Sequence, residues 1–195
     1  MKSATRRCSN CRKKISASDA LYGSLKAFCC VECLVAYAKS EKGKKDYTKA
    51  LRKETAERKQ KLKTKSDYVR EAQSAFNRYV RLRDSTTGCI SCGSMPEQKF
   101  GGTRDCGHML SRGAHGQHKF RLDNTAGQCV ACNRYRSGDA ANFRAGMVSR
   151  WGLDRVERLE SDNEPKKFTI DYLKRVKDIF NRRANLYQRL FRVDD

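Results

Sequence analysis

A mostly helical α+β fold, assembled from small pieces, is what this sequence predicts, and three observations carry that expectation. Apolar residues are sparse: 38% of the 195 residues are hydrophobic, 33% are charged, and mean hydropathy is −0.84. Ten cysteines are present, several of them in C-x-x-C pairs. Apolar stripes of helical period recur in three stretches. A chain this polar must spread its apolar residues over short elements. Small domains of that kind need a metal, disulfides or a partner to hold them together.

The helices follow from spacing. Tyr68, Ala72, Ala75, Phe76, Tyr79, Val80 and Leu82 form one stripe, which predicts a helix from Asp67 to Arg83 with Ser66 as its N-cap. Ala140, Phe143, Met147 and Val148 predict a second, from Asp139 to Arg150, with Gly152 just past its end. Ile170, Leu173, Val176, Phe180, Ala184, Tyr187 and Leu190 predict a third, starting near Thr169. Aromatic stripes at this spacing face a core. A short strand over Thr103 to Cys106 ends beside His108 and belongs to a small two-stranded element. The chain reads as four segments: 1–38 with a first cysteine cluster, 39–65 as a basic helical linker, 66–152 with the second cluster and all three histidines, and 153–195 as a C-terminal helical region.

The cysteines decide the kind of staple. The N-terminus, MKSATRRCSNCRKK, has no apolar stretch of signal-peptide type. No run approaches the ~20 apolar residues of a membrane span. A cytoplasmic location is therefore expected, where thiols stay reduced, and C-x-x-C is metal-ligand spacing. Cys89-x-x-Cys92 and Cys129-x-x-Cys132 make one four-thiolate set. Cys8-x-x-Cys11 makes another with Cys33 and either Cys29 or Cys30. Two structural Zn²⁺ ions are expected, and four thiolates leave no open coordination position for water.

Charge points to the partner. Lys and Arg number 43 against 22 Asp and Glu, a formal net charge of +21. Nucleic acid is the usual answer to such an excess, through phosphate contacts and counterion release. No basic amphipathic stretch has the aromatic and leucine face of a membrane-surface helix. Within residues 39–65, Lys59, Lys61, Lys63 and Lys65 are either DNA-backbone contacts or charges of a solvated linker, and the sequence leaves both open.

Two resemblances add to these readings. The phrase Phe28-Cys29-Cys30-Val31-Glu32-Cys33 resembles treble-clef fingers of the TRASH/FCS type, whose last two ligands are spaced by three. This favours Cys29 over Cys30, with Cys30 a small neighbour in the core. The second set brackets Asp105-Cys106-Gly107-His108, then Arg121-Leu122-Asp123-Asn124, and is followed by Asn133. That order resembles the HNH nuclease motif, two strands and a helix around one divalent ion. From Tyr68 to Trp151, the phrases GCISCG, DCGHMLSRGA, FRLDN, GQCVACN and RSGDAANFR resemble phage recombination endonucleases of the NinG/Rap type. The resemblance implies an α+β protein with a zinc-stapled ββα-metal core. It also implies a structure-selective endodeoxyribonuclease acting on branched recombination intermediates such as Holliday junctions and D-loops, in the host-cell cytoplasm if phage-encoded.

Chemistry assigns roles to these residues. A neutral imidazole can deprotonate the attacking water, and His108 is placed for it. Mg²⁺ or Mn²⁺ would neutralise charge on the phosphate. Asn133, fixed next to a zinc ligand, offers that ion an amide oxygen. The resemblance implies that Asn124, the middle asparagine of the motif, pins the loop carrying His108. Many HNH sites have an acid or histidine directly before the catalytic histidine; here that residue is Gly107, and Asp105 either substitutes as a ligand or leaves Asn133 alone in the role. Ala126 stands where relatives often carry a histidine. Arg112, Arg134 and Arg136 are candidate DNA contacts. His115 and His118 read as ordinary loop or core histidines, and Cys106 as a small core residue.

Three functions compete. A metal-dependent DNA endonuclease is favoured by the retention of His108 and Asn133. A non-catalytic, zinc-containing DNA-binding recombination accessory protein is favoured by the missing acid at Gly107. An RNA-binding zinc protein lacks any stacking-aromatic signature. Symmetric cutting of a four-way junction would suit a homodimer, for which the sequence has no motif.

Overall fold

A computed structural model describes residues 5–23, 26–95 and 104–191. Thr103, at the start of the expected strand, lies outside them. The chain divides into two compact units between Lys63 and Thr64. Among the described residues, no helix is long and apolar enough to cross a membrane.

The first unit is a cysteine knuckle followed by two helices. Strands β1 (Thr5–Arg7) and β2 (Lys14–Ser16) pair antiparallel around the turn that carries Cys8 and Cys11. Strands β3 (Leu21–Gly23) and β4 (Lys26–Phe28) pair likewise and deliver Cys29 and Cys30 to the start of α1 (Val31–Lys39), whose first turn holds Cys33. Neither hairpin is announced by apolar alternation; their strands are three residues long and mostly exposed. Ser40 closes α1 and caps α2 (Glu41–Lys61), accepting the Gly43 N–H at 3.1 Å. The Lys26 ammonium and the Tyr37 hydroxyl both donate to the Asp46 carboxylate, which ties β4, α1 and the base of α2 together. Only Gly43 of α2 is buried, so the segment from residue 39 to 65 is a solvated helix along most of its length.

The second unit holds the main core. Helix α3 (Lys65–Arg83) begins two residues earlier than expected. Thr64, not Ser66, is the N-cap, and it exchanges hydrogen bonds with Asp67 in a capping box. The stripe itself is buried as expected. Phe76 and Val80 are fully enclosed and pack on Leu173, Val176 and Phe180 of α6 (Ile170–Phe191), with Phe76 and Phe180 edge to face at 4.7 Å. The C-terminal segment is thus part of the same core as α3. Ile170 and Leu190, the two ends of its stripe, stay exposed.

Strands β5 (Asp105–His108) and β6 (Thr125–Gln128) form the two-stranded element, antiparallel, with His108 opposite Thr125. Leu122–Asn124 is a tight 3₁₀ turn leading into β6. A second cluster covers the pair: Ala126 with Phe143 and Met147 of α4 (Ala140–Trp151) and Val156 of α5 (Leu153–Ser161). Gly146 lets α4 approach the Cys89–Cys92 loop closely, because a Cβ there would stand 2.2 Å from the Ile90 carbonyl oxygen. One carboxylate binds the layers together. Asp84, after the last turn of α3, accepts from Arg83, from Arg150 of α4 and from the Gly127 N–H of β6.

Candidate functional site

Both cysteine sets converge. In each of the groups Cys8, Cys11, Cys29, Cys33 and Cys89, Cys92, Cys129, Cys132, all sulfur atoms lie within 4.8 Å of one another. Sulfurs held at about 2.3 Å by a tetrahedral zinc stand roughly 3.8 Å apart. Cys92 and Cys129 are separated by 3.8 Å, Cys29 and Cys33 by 3.6 Å, and Cys11 and Cys29 by 3.5 Å, far beyond a disulfide bond. The donor set therefore fits Zn²⁺, and either tetrad could bind it. Cys30 sits beside Cys29, sulfur to sulfur 3.7 Å, but outside the group of four. It occupies the N-cap position of α1.

The polypeptide prepares these sulfurs for a cation. The Cys129 N–H donates to Cys89 at 3.3 Å and the Cys132 N–H to Cys129 at 3.4 Å. Burial works against ionisation of Cys8, but the backbone N–H groups of Cys11, Cys29 and Asn10 outweigh it and bring the thiol down to about 6. The hydroxyl and N–H of Ser94 do the same for Cys92, also to about 6. Cys29 moves upward, through its hydrogen bonds with Cys11 and Cys33 and then burial, and Cys132 moves upward through burial and then its hydrogen bonds with Cys129 and Cys92.

His108 ends β5, with 3₁₀ and loop residues around it. Asn124, fully buried, holds the loop after it. The Asn124 side-chain oxygen accepts the Leu110 N–H at 2.8 Å; its amide N–H₂ donates to the Leu110 carbonyl at 3.1 Å and to the His118 carbonyl at 3.3 Å. The expected pinning role is the observed geometry. The His108 ring donates from Nε2 to the Lys119 carbonyl at 3.4 Å. Burial and the nearby Arg112 guanidinium lower its pKa to about 4, with the Lys119 and Cys106 carbonyls opposing. At neutral pH the ring is uncharged and keeps one lone pair. Beside it, burial pushes the Cys106 thiol up to about 12, an inert core group.

Asp105 and Asn133 also meet. Ala131–Tyr135 is a wide, π-type turn, not the start of a long helix, and it aims the Asn133 amide N–H at the Asp105 carboxylate, 2.9 Å away. Arg134, however, grips the same carboxylate through Nε at 2.7 Å and Nη2 at 2.8 Å. That pair, and then Asn133, hold Asp105 below the usual carboxylate range. Arg134 is thus engaged within the chain, whereas Arg112 and Arg136 are exposed. Successive side chains of a strand point to opposite faces. Asp105 and Gly107 share one face of β5 and His108 the other, and three residue steps, roughly 10 Å, separate the Asp105 and His108 positions. The structure brings Asp105 to Asn133 and His108 to Asn124, and does not bring the two pairs into contact.

Gly107 has a packing reason. A Cβ there would lie 2.5 Å from the Phe143 ring and 2.6 Å from the Gln128 side-chain oxygen. No carboxylate fits at that position. His118 is a core histidine: 1% exposed, it donates from Nε2 to the Asp162 carbonyl at 2.8 Å. Lys59 and Lys61 lie in the exposed last turn of α2 and Lys65 opens α3.

Sequence reasoning named Arg112 as a DNA contact but missed the basic side chains that share its cleft. Arg70 and Arg81 of α3, together with Arg112 and Lys119, line an open cleft. The signal was available: they repeat on the polar side of α3, opposite the apolar stripe.

The match to a family model described as bacteriophage lambda NinG protein covers residues 1–189. The chain belongs to the NinG family. Among its NinG relatives, protein ninG of Escherichia phage lambda is 33% identical over 135 residues, which covers 65% of this chain and 64% of that protein. Protein ninG of Salmonella phage P22 is 34% identical over 120 residues, covering 62% and 57%. The aligned part of this NinG chain thus spans somewhat less than two thirds of these relatives. No solved structure matches it.

Proposed function

We propose that this chain is a metal-dependent endonuclease that hydrolyses phosphodiester bonds in branched DNA, with His108 as the base that takes a proton from the attacking water. The observation that carries the reading is the state of His108: an uncharged imidazole at the end of β5, its loop fixed by three Asn124 hydrogen bonds, acted on by Arg112 and Lys119 of a basic cleft. A general base must be unprotonated and held in place, and this one is both. An arriving phosphate would offset the Arg112 charge and make the ring more basic. Asp105 and Asn133 are the side chains that would hold Mg²⁺ or Mn²⁺, which when bound would neutralise charge on the phosphate. Arg134 would have to release Asp105 first, and is then free to meet a phosphate oxygen.

A second reading has an observation of its own. Asp105 is already saturated by Arg134 and Asn133, and Gly107 has no room for an acid. Both suit a zinc-containing DNA-binding accessory protein that does not cut. Incubation of the pure, zinc-loaded protein with a synthetic four-way junction, with and without Mg²⁺ or Mn²⁺, separates the two. Metal-dependent cleavage lost in His108→Ala is the expected result. Tight binding without cleavage under every metal condition would leave the accessory reading.

A further inference from the structure

We infer that the cleft between α3 and the loop after β5 is a binding site for the phosphodiester backbone of DNA, with Arg70, Arg81, Arg112 and Lys119 as its phosphate contacts. It deepens the nuclease reading by naming where the substrate strand lies, and it rests on that reading only for the cut itself.

The cleft measures about 620 Å³ and lies wholly within the second unit. Its lining is one-sided in charge. Four cations are joined by Ser66, Gln73, Ser74 and Asn77, and no carboxylate lines it. Arg70 pairs with Asp67 at 2.6 Å, on the exposed rim. Among the described residues, Arg81, Arg112 and Lys119 form no ion pair with any carboxylate. Several other arginines of this unit are answered: Arg83 and Arg150 by Asp84, Arg121 and Arg155 by Asp123, Arg134 by Asp105, Arg144 by Glu160. A group of neighbouring cations left without partners, while nearby ones are paired, costs repulsion unless an anion answers it from outside.

The geometry suits a strand better than a small anion. Ser66, Arg70, Ser74, Asn77 and Arg81 recur at helical spacing along nearly the whole of α3, so the row runs for roughly 20 Å at 1.5 Å per residue. One strand of a duplex carries a phosphate every ~3.4 Å along the axis, so the row spans several of them. The cleft's charges act on the strand that carries the candidate base: Arg112 and Lys119 on His108, and Arg81 with Arg112 on Cys106. A backbone laid along α3 would pass beside His108.

The test is DNA binding by the full zinc-loaded chain in EDTA, where no cut occurs, measured by fluorescence anisotropy over a salt series with a four-way junction. Each lost phosphate contact should reduce the salt slope by about 0.9. Arg81→Gln with Lys119→Gln should weaken binding at least tenfold and lower the slope by nearly two. A charge-matched control, Arg182→Gln with Arg189→Gln on the exposed side of α6, should change both far less. Zinc content and the unfolding midpoint confirm that each variant is folded. Equal losses from the two pairs, or no loss from the cleft pair, would overturn the inference. A wild-type protein that binds through the cleft but never cuts would instead overturn the nuclease reading and leave this one standing.

Discussion

Replacing Asp84 by asparagine removes the charge that joins three elements of the second unit. Asp84 is 2% exposed. Burial alone would raise its pKa, but the Arg83 and Arg150 hydrogen bonds prevail and hold it at about 2. Against an unfolded value near 3.9, a difference of about 2 units corresponds to roughly 2.6 kcal/mol of stability. The sign follows from the depressed folded pKa: the contribution is complete above about pH 4 and is lost as pH falls through 2. Acid titration is a poor assay, because zinc-bound thiolates take up protons before that window is reached. The variant at pH 7 is cleaner. Asp84→Asn keeps the volume but presents an N–H₂ group to two half-buried guanidinium groups, so the loss should approach the 3–5 kcal/mol of a broken buried pair. Urea unfolding of zinc-loaded protein, followed by the fluorescence of Trp151, measures it. A loss below about 1 kcal/mol would mean that solvent or another acid answers Arg83 and Arg150, and the reasoning would be wrong.

Other outcomes are as specific. His108→Ala should lower cleavage by ~10²–10⁴-fold while zinc content and DNA affinity stay near wild type, read from single-turnover rates on a junction. Asn124→Ala should cost about 2–4 kcal/mol, since the Leu110 N–H and the Leu110 and His118 carbonyls lose their partner in a buried place; unchanged urea midpoints would remove its pinning role. Cys129→Ser should lose one of two zinc ions and unfold the second unit, whereas Cys30→Ala should keep both ions, as metal analysis and circular dichroism would establish. Neutralising Lys59, Lys61, Lys63 and Lys65 together should weaken DNA binding and flatten its salt dependence; if neither changes, α2 is a solvated helix only.

The helices and the cysteine tetrads were legible in the sequence because each depends on spacing along the chain. Phe76, Val80, Leu173 and Phe180 recur with helical period and are the core. Cys89-x-x-Cys92 and Cys129-x-x-Cys132 are local pairs whose meeting needs only one fold of the chain. Asn124 was legible only through the resemblance to the HNH motif, whose middle asparagine usually pins the loop of the catalytic histidine. What escaped was set by contacts between distant residues. Thr64 displaced Ser66 as the cap because Asp67 completes a reciprocal pair with it. The three-residue strands of the first unit carry no alternation to detect. Asp84 looked like any helix-terminal acid, and only the meeting of α3, β6 and α4 gives it Arg150 and Gly127. Arg134 could not be told from a free cation until Asp105 was found within its reach.

The arrangement of β5 explains how one short strand can carry two kinds of chemistry. Alternation sends His108 toward the cationic cleft and Asp105 toward Asn133 and Arg134, so base and carboxylate never neutralise one another. Had an acid stood at Gly107, it would have met the Phe143 ring and the Gln128 amide, and β5 could not lie on β6 and α4 as it does. The position is therefore surrendered to packing, and Asp105, two residues earlier on the same face, is the first place where a carboxylate can reach solvent. Its guanidinium clamp then becomes a control point. On the proposed reading, a divalent ion would gain Asp105 only in competition with Arg134, and the competition would tilt if DNA phosphates drew Arg134 away. Metal and DNA would then favour each other's binding, each by relieving the cation that opposes the other.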